Sequence, residues 1–194
     1  MCEWAASVAE VAGALGFDKA RVVGGHSGSC VAAELAIHFP SLVASVVLDG
    51  CPLLTPQLRA TFKAMQQAVR PAPDPAGAHE SLVFRTVRTT YEHYLPGFQV
   101  TADTLETLWP AMIDYLETDF VSSAPISAEY DLESRILAIR QPLTVLTADT
   151  DTLVGTFERV CALRPDARRY RFAGHHPLHE PARAAEYAAL IDPV

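Results

Sequence analysis

The sequence predicts an α/β protein, a parallel sheet of about four strands flanked by helices with a helical insertion between its halves. Three observations carry this. A β-branched run, Arg21-Val22-Val23, leads into Gly24-Gly25 and then into a segment of helix formers. A second apolar run, Ala44-Ser45-Val46-Val47-Leu48, ends at Asp49-Gly50. After a middle region with no convincing strand, strand and helix patterns alternate again from Pro142 onward.

The elements follow in chain order. Trp4, Val8, Val11, Ala12 and Leu15 recur at spacings of three and four, the pattern of one apolar stripe on a helix that Gly16 ends. The first strand runs through Val22-Val23 to the glycines, Val31 to Ile37 is helical in composition, and Pro40 stops that helix. The second strand ends at Asp49, and two strands flanking a helix favour a right-handed parallel crossover. From 51 to about 133 the patterns are helical, with segments such as Leu58 to Val69 and Leu105 to Leu116 either side of the Pro-rich break Arg70-Pro71-Ala72-Pro73-Asp74-Pro75. A buried strand at Pro142 to Thr147, a helix over Phe157 to Leu163, a strand at Arg168 to Phe172 and a helix over Ala182 to Ile191 complete the chain. The expected division is therefore a core segment at 1–50, a helical segment at 51–133 and a second core segment at 134–194.

Composition narrows the function classes. The chain has 194 residues, 49% of them hydrophobic, which is enough apolar side chain for a continuous core and argues against disorder. A formal net charge of -8 with only 15 Lys and Arg leaves no basic patch of the kind that phosphate backbones or anionic lipid surfaces require, so neither a nucleic acid nor a membrane partner is expected. A small-molecule substrate is the better fit. No apolar run reaches the roughly 18–20 residues of a membrane span. The start, Met1-Cys2-Glu3-Trp4, carries no basic or apolar leader pattern, so a cytoplasmic location is expected. Cys2, Cys30, Cys51 and Cys161 are scattered without Cys-x-x-Cys spacing and read as buried thiols.

Three motifs fall just after the carboxyl ends of predicted strands, where open α/β sheets build their sites. They are Gly24-Gly25-His26-Ser27-Gly28-Ser29, Ala148-Asp149-Thr150-Asp151, and Ala173-Gly174-His175-His176-Pro177-Leu178-His179. A residue on a sharp strand-to-helix turn, then an acid, then a histidine is the order used for acyl transfer on this topology. With these motifs, the Phe39-Pro40 helix end and the Val46-Val47-Leu48-Asp49 strand, the chain resembles the α/β-hydrolase family over nearly its whole length, and implies a partial α/β-hydrolase fold. The family's first strands, including the neighbour of the elbow strand and a loop that gives one oxyanion donor, have no counterpart ahead of residue 2. The elbow strand is then expected as an exposed apolar edge, from a start at an internal Met or from a sheet completed in a homo-oligomer.

The resemblance implies a hydrolase of a small apolar ester, lactone, epoxide or similar substrate, without cofactor or metal, under a helical cap lined by aromatics such as Phe84, Tyr91, Trp109 and Phe120. The elbow can be read in two registers. Gly25-His26-Ser27-Gly28-Ser29 puts Ser27 at the nucleophile position, with Asp151 and His175 completing a triad and the Gly28 backbone N–H as oxyanion donor. Gly24-Gly25-His26-Ser27-Gly28 matches both family glycines and puts His26 at the tip; the count to Glu34 and Pro40 favours it, and a Gly-x-His-Thr-Gly elbow resembles it. An imidazole serves as acid or base rather than as a stable acyl carrier. Asp149 and Asp49 are the second and third choices of acid. His175, His176 and His179 lie close in sequence, but only His175 and His179 share a face, which fits zinc poorly. A homologue that binds without turnover is the alternative. A dinucleotide-binding domain fits less well, since there is neither a Gly-x-Gly-x-x-Gly nor a phosphate-binding lysine.

Overall fold

The computed structural model describes residues 1–67, 73–94, 97–117, 126, 128–177 and 181–191. Residues 70–72 of the Pro-rich break, Phe120 and His179 lie outside the described residues, as do the side chains of Phe62, Met65 and Tyr94. The chain divides into two compact units, Met1–Thr55 with Glu129–Val194, and Pro56–Ala128.

The first unit holds one four-stranded sheet in the order β1 (Ala20–Gly25), β2 (Val43–Asp49), β3 (Leu143–Ala148), β4 (Arg168–Phe172). All pairings are parallel. Register aligns the carboxyl ends: Gly25 lies opposite Asp49, Asp49 opposite Leu146, and Ala148 opposite Phe172. The turns that follow these strands therefore gather at one edge of the sheet. Both faces are covered, as apolar parallel strands demand. In β2 the side chains alternate, Val46 and Leu48 into one core and Val47 into another. The larger core takes in α1 (Cys2–Ala14), α2 (Ser27–His38), α6 (Leu132–Ile136) and α7 (Phe157–Leu163), while Phe172 and Ala148 meet Tyr187 of α8 (Ala184–Ile191) on the other side. β4 is an edge strand, and its exposed Arg-Arg-Tyr-Arg run discourages pairing with other chains. β1, the other edge, exposes Val23.

Helix α1 departs from the expected stripe. Val8, Val11 and Leu15 are 44%, 58% and 68% exposed, whereas Ala5 is fully buried and Ala9 packs beside it. The physical reason is size. Ala5 and Ala9 pack into the same core as the buried alanines of α2, where larger side chains on α1 would hold the two helices apart.

A buried carboxylate joins these helices. Glu34, 1% exposed on α2, accepts from Arg135 Nε at 2.7 Å and Nη2 at 2.8 Å, from the Tyr130 hydroxyl and from the Cys2 thiol at 3.2 Å. Burial pushes its carboxyl up, but the Arg135, Tyr130 and Cys2 hydrogen bonds and the Arg135 charge outweigh it and bring the pKa down to about 2.

The second unit is helical: α3 (Pro56–Gln67), α4 (Ala78–Tyr94) and α5 (Ala102–Glu117). Asp74 accepts from the Ala78 amide ahead of α4, and Thr101 from the Thr104 amide ahead of α5. Val83, Val87, Leu108 and Met112 form the core between α4 and α5, with Phe84, Tyr91, Phe98 and Tyr115 packed against it. Trp109 is 53% exposed and is not part of that packing.

Replacing Arg135 by Met should destabilise the protein by about 2 kcal/mol, because a buried carboxylate loses its charged partner. Since the Glu34 pKa is lowered on folding, its stabilisation is complete above its ordinary 4.5 and is lost as pH falls towards about 2. Urea midpoints measured across that range should show a steeper acid loss in the native chain than in Glu34→Gln.

Candidate active site

The turn between β1 and α2 is built on a backbone crossing. A Cβ on Gly24 would lie 2.3 Å from the Gly28 carbonyl oxygen and 2.8 Å from Ala32 Cβ, so only glycine lets strand and helix approach this closely. Between the two glycines His26 holds φ +48° and ψ -116°, a conformation L-residues rarely adopt. Its own hydrogen bonds hold it there. The His26 amide donates to the Asp49 carbonyl at 2.8 Å, and the His26 carbonyl accepts from the Ser29 amide at 2.9 Å. Ser29, fully buried, donates its hydroxyl to the carbonyls of Gly24 at 2.8 Å and Asp49 at 3.2 Å. His26 thus occupies the tip, and Ser27 is the exposed first residue of α2.

The imidazole meets an acid from the third strand. His26 Nε2 lies 3.0 Å from Asp151 Oδ2, across 125 residues of sequence. Asp151 is buried, and its other oxygen accepts the Leu153 amide at 2.6 Å, which fixes the carboxylate where β3 gives way to the helix that follows. The hydrogen bond to Asp151 raises the His26 pKa; partial burial opposes this, while the charges of Asp151 and Asp49 reinforce it. For Asp151, burial pushes the pKa up, but the His26 hydrogen bond and charge, the Leu153 amide and the nearby His176 outweigh it and leave the carboxyl below its ordinary value. Gly50 closes the space beside the pair. At φ +60°, its Cβ position is 2.4 Å from His26 Cδ2 and 2.8 Å from Asp151 Oδ2.

A second imidazole–carboxylate pair lies in the same region. His176, 6% exposed, brings Nε2 within 2.8 Å of Asp49 Oδ2, and the Tyr187 hydroxyl donates to the same oxygen at 2.9 Å. The rings of Phe172, His176 and Tyr187 pack together, with centroids 5.3–6.0 Å apart. His175, the sequence-based choice, is placed elsewhere. Its Nδ1 is 3.3 Å from Thr150 Oγ1 and its carbonyl accepts from Arg183 at 2.6 Å. Among the described residues, no hydrogen bond joins it to His26 or Asp151. Asp149 is exposed and braces two turns, accepting from Arg171 Nε at 2.6 Å and from the Gly174 amide at 3.0 Å.

Of the residues singled out in the sequence, the structure brings His26 and Asp151 together, sets Ser27 and Gly28 in the first turn of α2, and holds His175 at the Thr150 turn. Asp49 is drawn into the pair with His176. Sequence reading missed Ser29, Gly50 and Tyr187. Ser29 left a trace as the last residue of the elbow motif and Gly50 as the glycine ending the second strand; Tyr187 left none.

No family model and no curated protein sequence matches the chain. Solved structures do. A hydrolase from Pseudomonas aeruginosa PA01 superposes with a TM-score of 0.69 at 18% identity, covering 98% of this chain and 71% of the other. An esterase from Rhodococcus sp. ECU1013 gives 0.66 at 21%, covering 97% and 70%. The enol-lactonase from Burkholderia xenovorans LB400 gives 0.66 at 14%, again covering 97% and 70%. The chain has the α/β-hydrolase fold, and it is a partial version of it, four parallel strands with flanking helices. Among the described residues no helix is long and apolar enough to cross a membrane.

Gly50→Ala should force the His26 and Asp151 side chains apart and leave alanine at a positive φ, a loss of about 1–2 kcal/mol. The His26 ring, followed by NMR titration, should then titrate closer to its ordinary 6.5 than in the native chain.

Proposed function

We propose that the chain hydrolyses a small, moderately apolar ester, lactone or similar substrate, with His26 as the acid–base group and Asp151 as its partner. The observation that carries this reading is the 3.0 Å contact between His26 Nε2 and Asp151 Oδ2 at the tip of the elbow. An ionised carboxylate only accepts, so Nε2 carries the ring proton and Nδ1 is left as the base. Nδ1 takes a proton from a water molecule as the water oxygen attacks the substrate carbonyl. Asp151 stabilises the imidazolium that results, and that imidazolium returns the proton to the leaving alkoxide as the carbonyl–oxygen bond breaks. The negative oxygen of the intermediate is met by backbone N–H groups of Ser27 and Gly28 at the start of α2, a helix end that favours anions.

In this scheme no acyl group is carried on the protein, so Ser27 is not a nucleophile. His175 has no assigned step. The esterase and the enol-lactonase among the structural neighbours support the substrate class, because both names describe attack on an activated carbonyl.

The test is a panel of short-chain aryl esters and lactones assayed with three variants. His26→Ala should lower kcat/KM by about a hundredfold or more, and Asp151→Asn by a smaller factor, in line with the usual contribution of a positioned acid–base group. Ser27→Ala should retain activity, and a fluorophosphonate should leave the intact mass unchanged. A probe adduct on Ser27, with activity lost in Ser27→Ala, would overturn the scheme.

The pH profile carries the same information. The base must be unprotonated, so kcat/KM should rise with pH through an inflection above 6.5, and Asp151→Asn should move that inflection down. The sign for stability is opposite. With its pKa raised on folding, His26 stabilises fully below about 6.5 and loses that contribution as pH climbs through the folded value.

A further inference from the structure

We propose that Cys2, Glu34 and His38 form a three-donor site for a divalent metal ion of the zinc class, independent of the elbow. The site lies at the far end of α2, about 18 Å along the helix from His26. Three different donors converge there. Cys2 Sγ is 3.2 Å from Glu34 Oε2, His38 Nε2 is 3.0 Å from the same oxygen, and Cys2 Sγ is 4.0 Å from His38 Nε2. Tetrahedral zinc with bonds of about 2.0–2.3 Å sets its donors roughly 3.3–3.7 Å apart, so this triangle needs only small shifts to become one face of a coordination sphere.

The arrangement fits a metal better than a thiol–imidazole catalytic pair. In a triad the acid and the nucleophile take opposite nitrogens of the ring. Here Cys2 Sγ and Glu34 Oε2 both approach Nε2, so all three donors point at one centre. Thiolate, imidazole and carboxylate together are a zinc-class donor set, with a fourth position left for water. Glu34 is 1% exposed and its Oε1 is tied by Arg135 Nε at 2.7 Å and by the Tyr130 hydroxyl, the kind of outer hydrogen bonding that orients a ligating carboxylate. Glu34 and His38 are one helical turn apart on α2, which is the spacing that lets two side chains share one ion.

Arg135 competes for the site. Its Nη2 lies 2.8 Å from Glu34 Oε2 and 3.1 Å from His38 Nε2, so a cation already sits against two of the donors. Oε2 has a second lone pair, but Nε2 has one, and metal entry must release it from the guanidinium. The Cys2 thiol gives up its proton to solvent as the metal–sulfur bond forms, and nothing is oxidised or reduced.

The experiment is an anaerobic titration of the reduced full chain with Co2+, followed by the near-ultraviolet thiolate-to-cobalt charge-transfer band and then by displacement with Zn2+. The expected result is a saturable band at one equivalent that Zn2+ removes. It should be absent in Cys2→Ser and at least tenfold weaker in apparent affinity in His38→Gln. Arg135→Gln, checked for folding by circular dichroism, should bind several-fold more tightly. No band in the native chain, or a band that survives in Cys2→Ser, overturns the proposal. None of these readouts depends on hydrolytic activity, so the outcome is separate from the reading of His26.

Discussion

The candidate site depends on one close approach, the crossing of β1 over the first turn of α2 at backbone contact. Gly24 lacks the side chain that would collide with the Gly28 carbonyl and prevent it, and His26 is left at the bend with a positive φ. Such a conformation costs on the order of 1–3 kcal/mol and persists only where neighbours over-determine it. The Asp49 carbonyl and the Ser29 hydroxyl do so, binding the turn to the adjacent strand from both sides. The tip residue is therefore chosen by steric position, before any question of its chemistry arises.

Electrostatics then build outward from the same strand end. Asp49 uses its main chain to hold the elbow and its side chain to meet His176 and Tyr187. The Asp49 charge also adds to the rise in the His26 pKa, after the hydrogen bond and charge of Asp151. In the first pair the His26 imidazole is open to solvent while Asp151 is buried; in the second both partners are buried, beside Phe172 and Tyr187.

Much of this was legible in the residues. Glycine pairs, β-branched runs and the order of elbow, acid and histidine located the strand ends, because a parallel sheet puts successive turns at one edge. The spacing of glycines to Glu34 and Pro40 favoured His26 at the tip, where the backbone has it. Less legible was which of two adjacent histidines turns inward: His175 and His176 differ by half a turn of chain, and the packing of Phe172 against Tyr187 decides, a contact made with the last helix. The outer stripe of α1 misled for a related reason. Apolar spacing alone does not show which of two faces a neighbour can approach, and the alanines won. Glu34 read only as a marker of register, since its partners Tyr130 and Arg135 lie about a hundred residues away.

β1 has a single strand neighbour among the described residues, β2. The strand that leads into His26, the one non-glycine residue with positive φ among the described residues, thus has a ladder along one edge only, from Ala20 to Gly25. Opening of a native structure proceeds through units of unequal stability, and edge segments belong to the weaker ones. Fraying of that ladder is therefore a local route by which the His26 geometry can open, short of global unfolding of the molecule. Amide exchange along β1 is the measurement that reports such opening at the elbow.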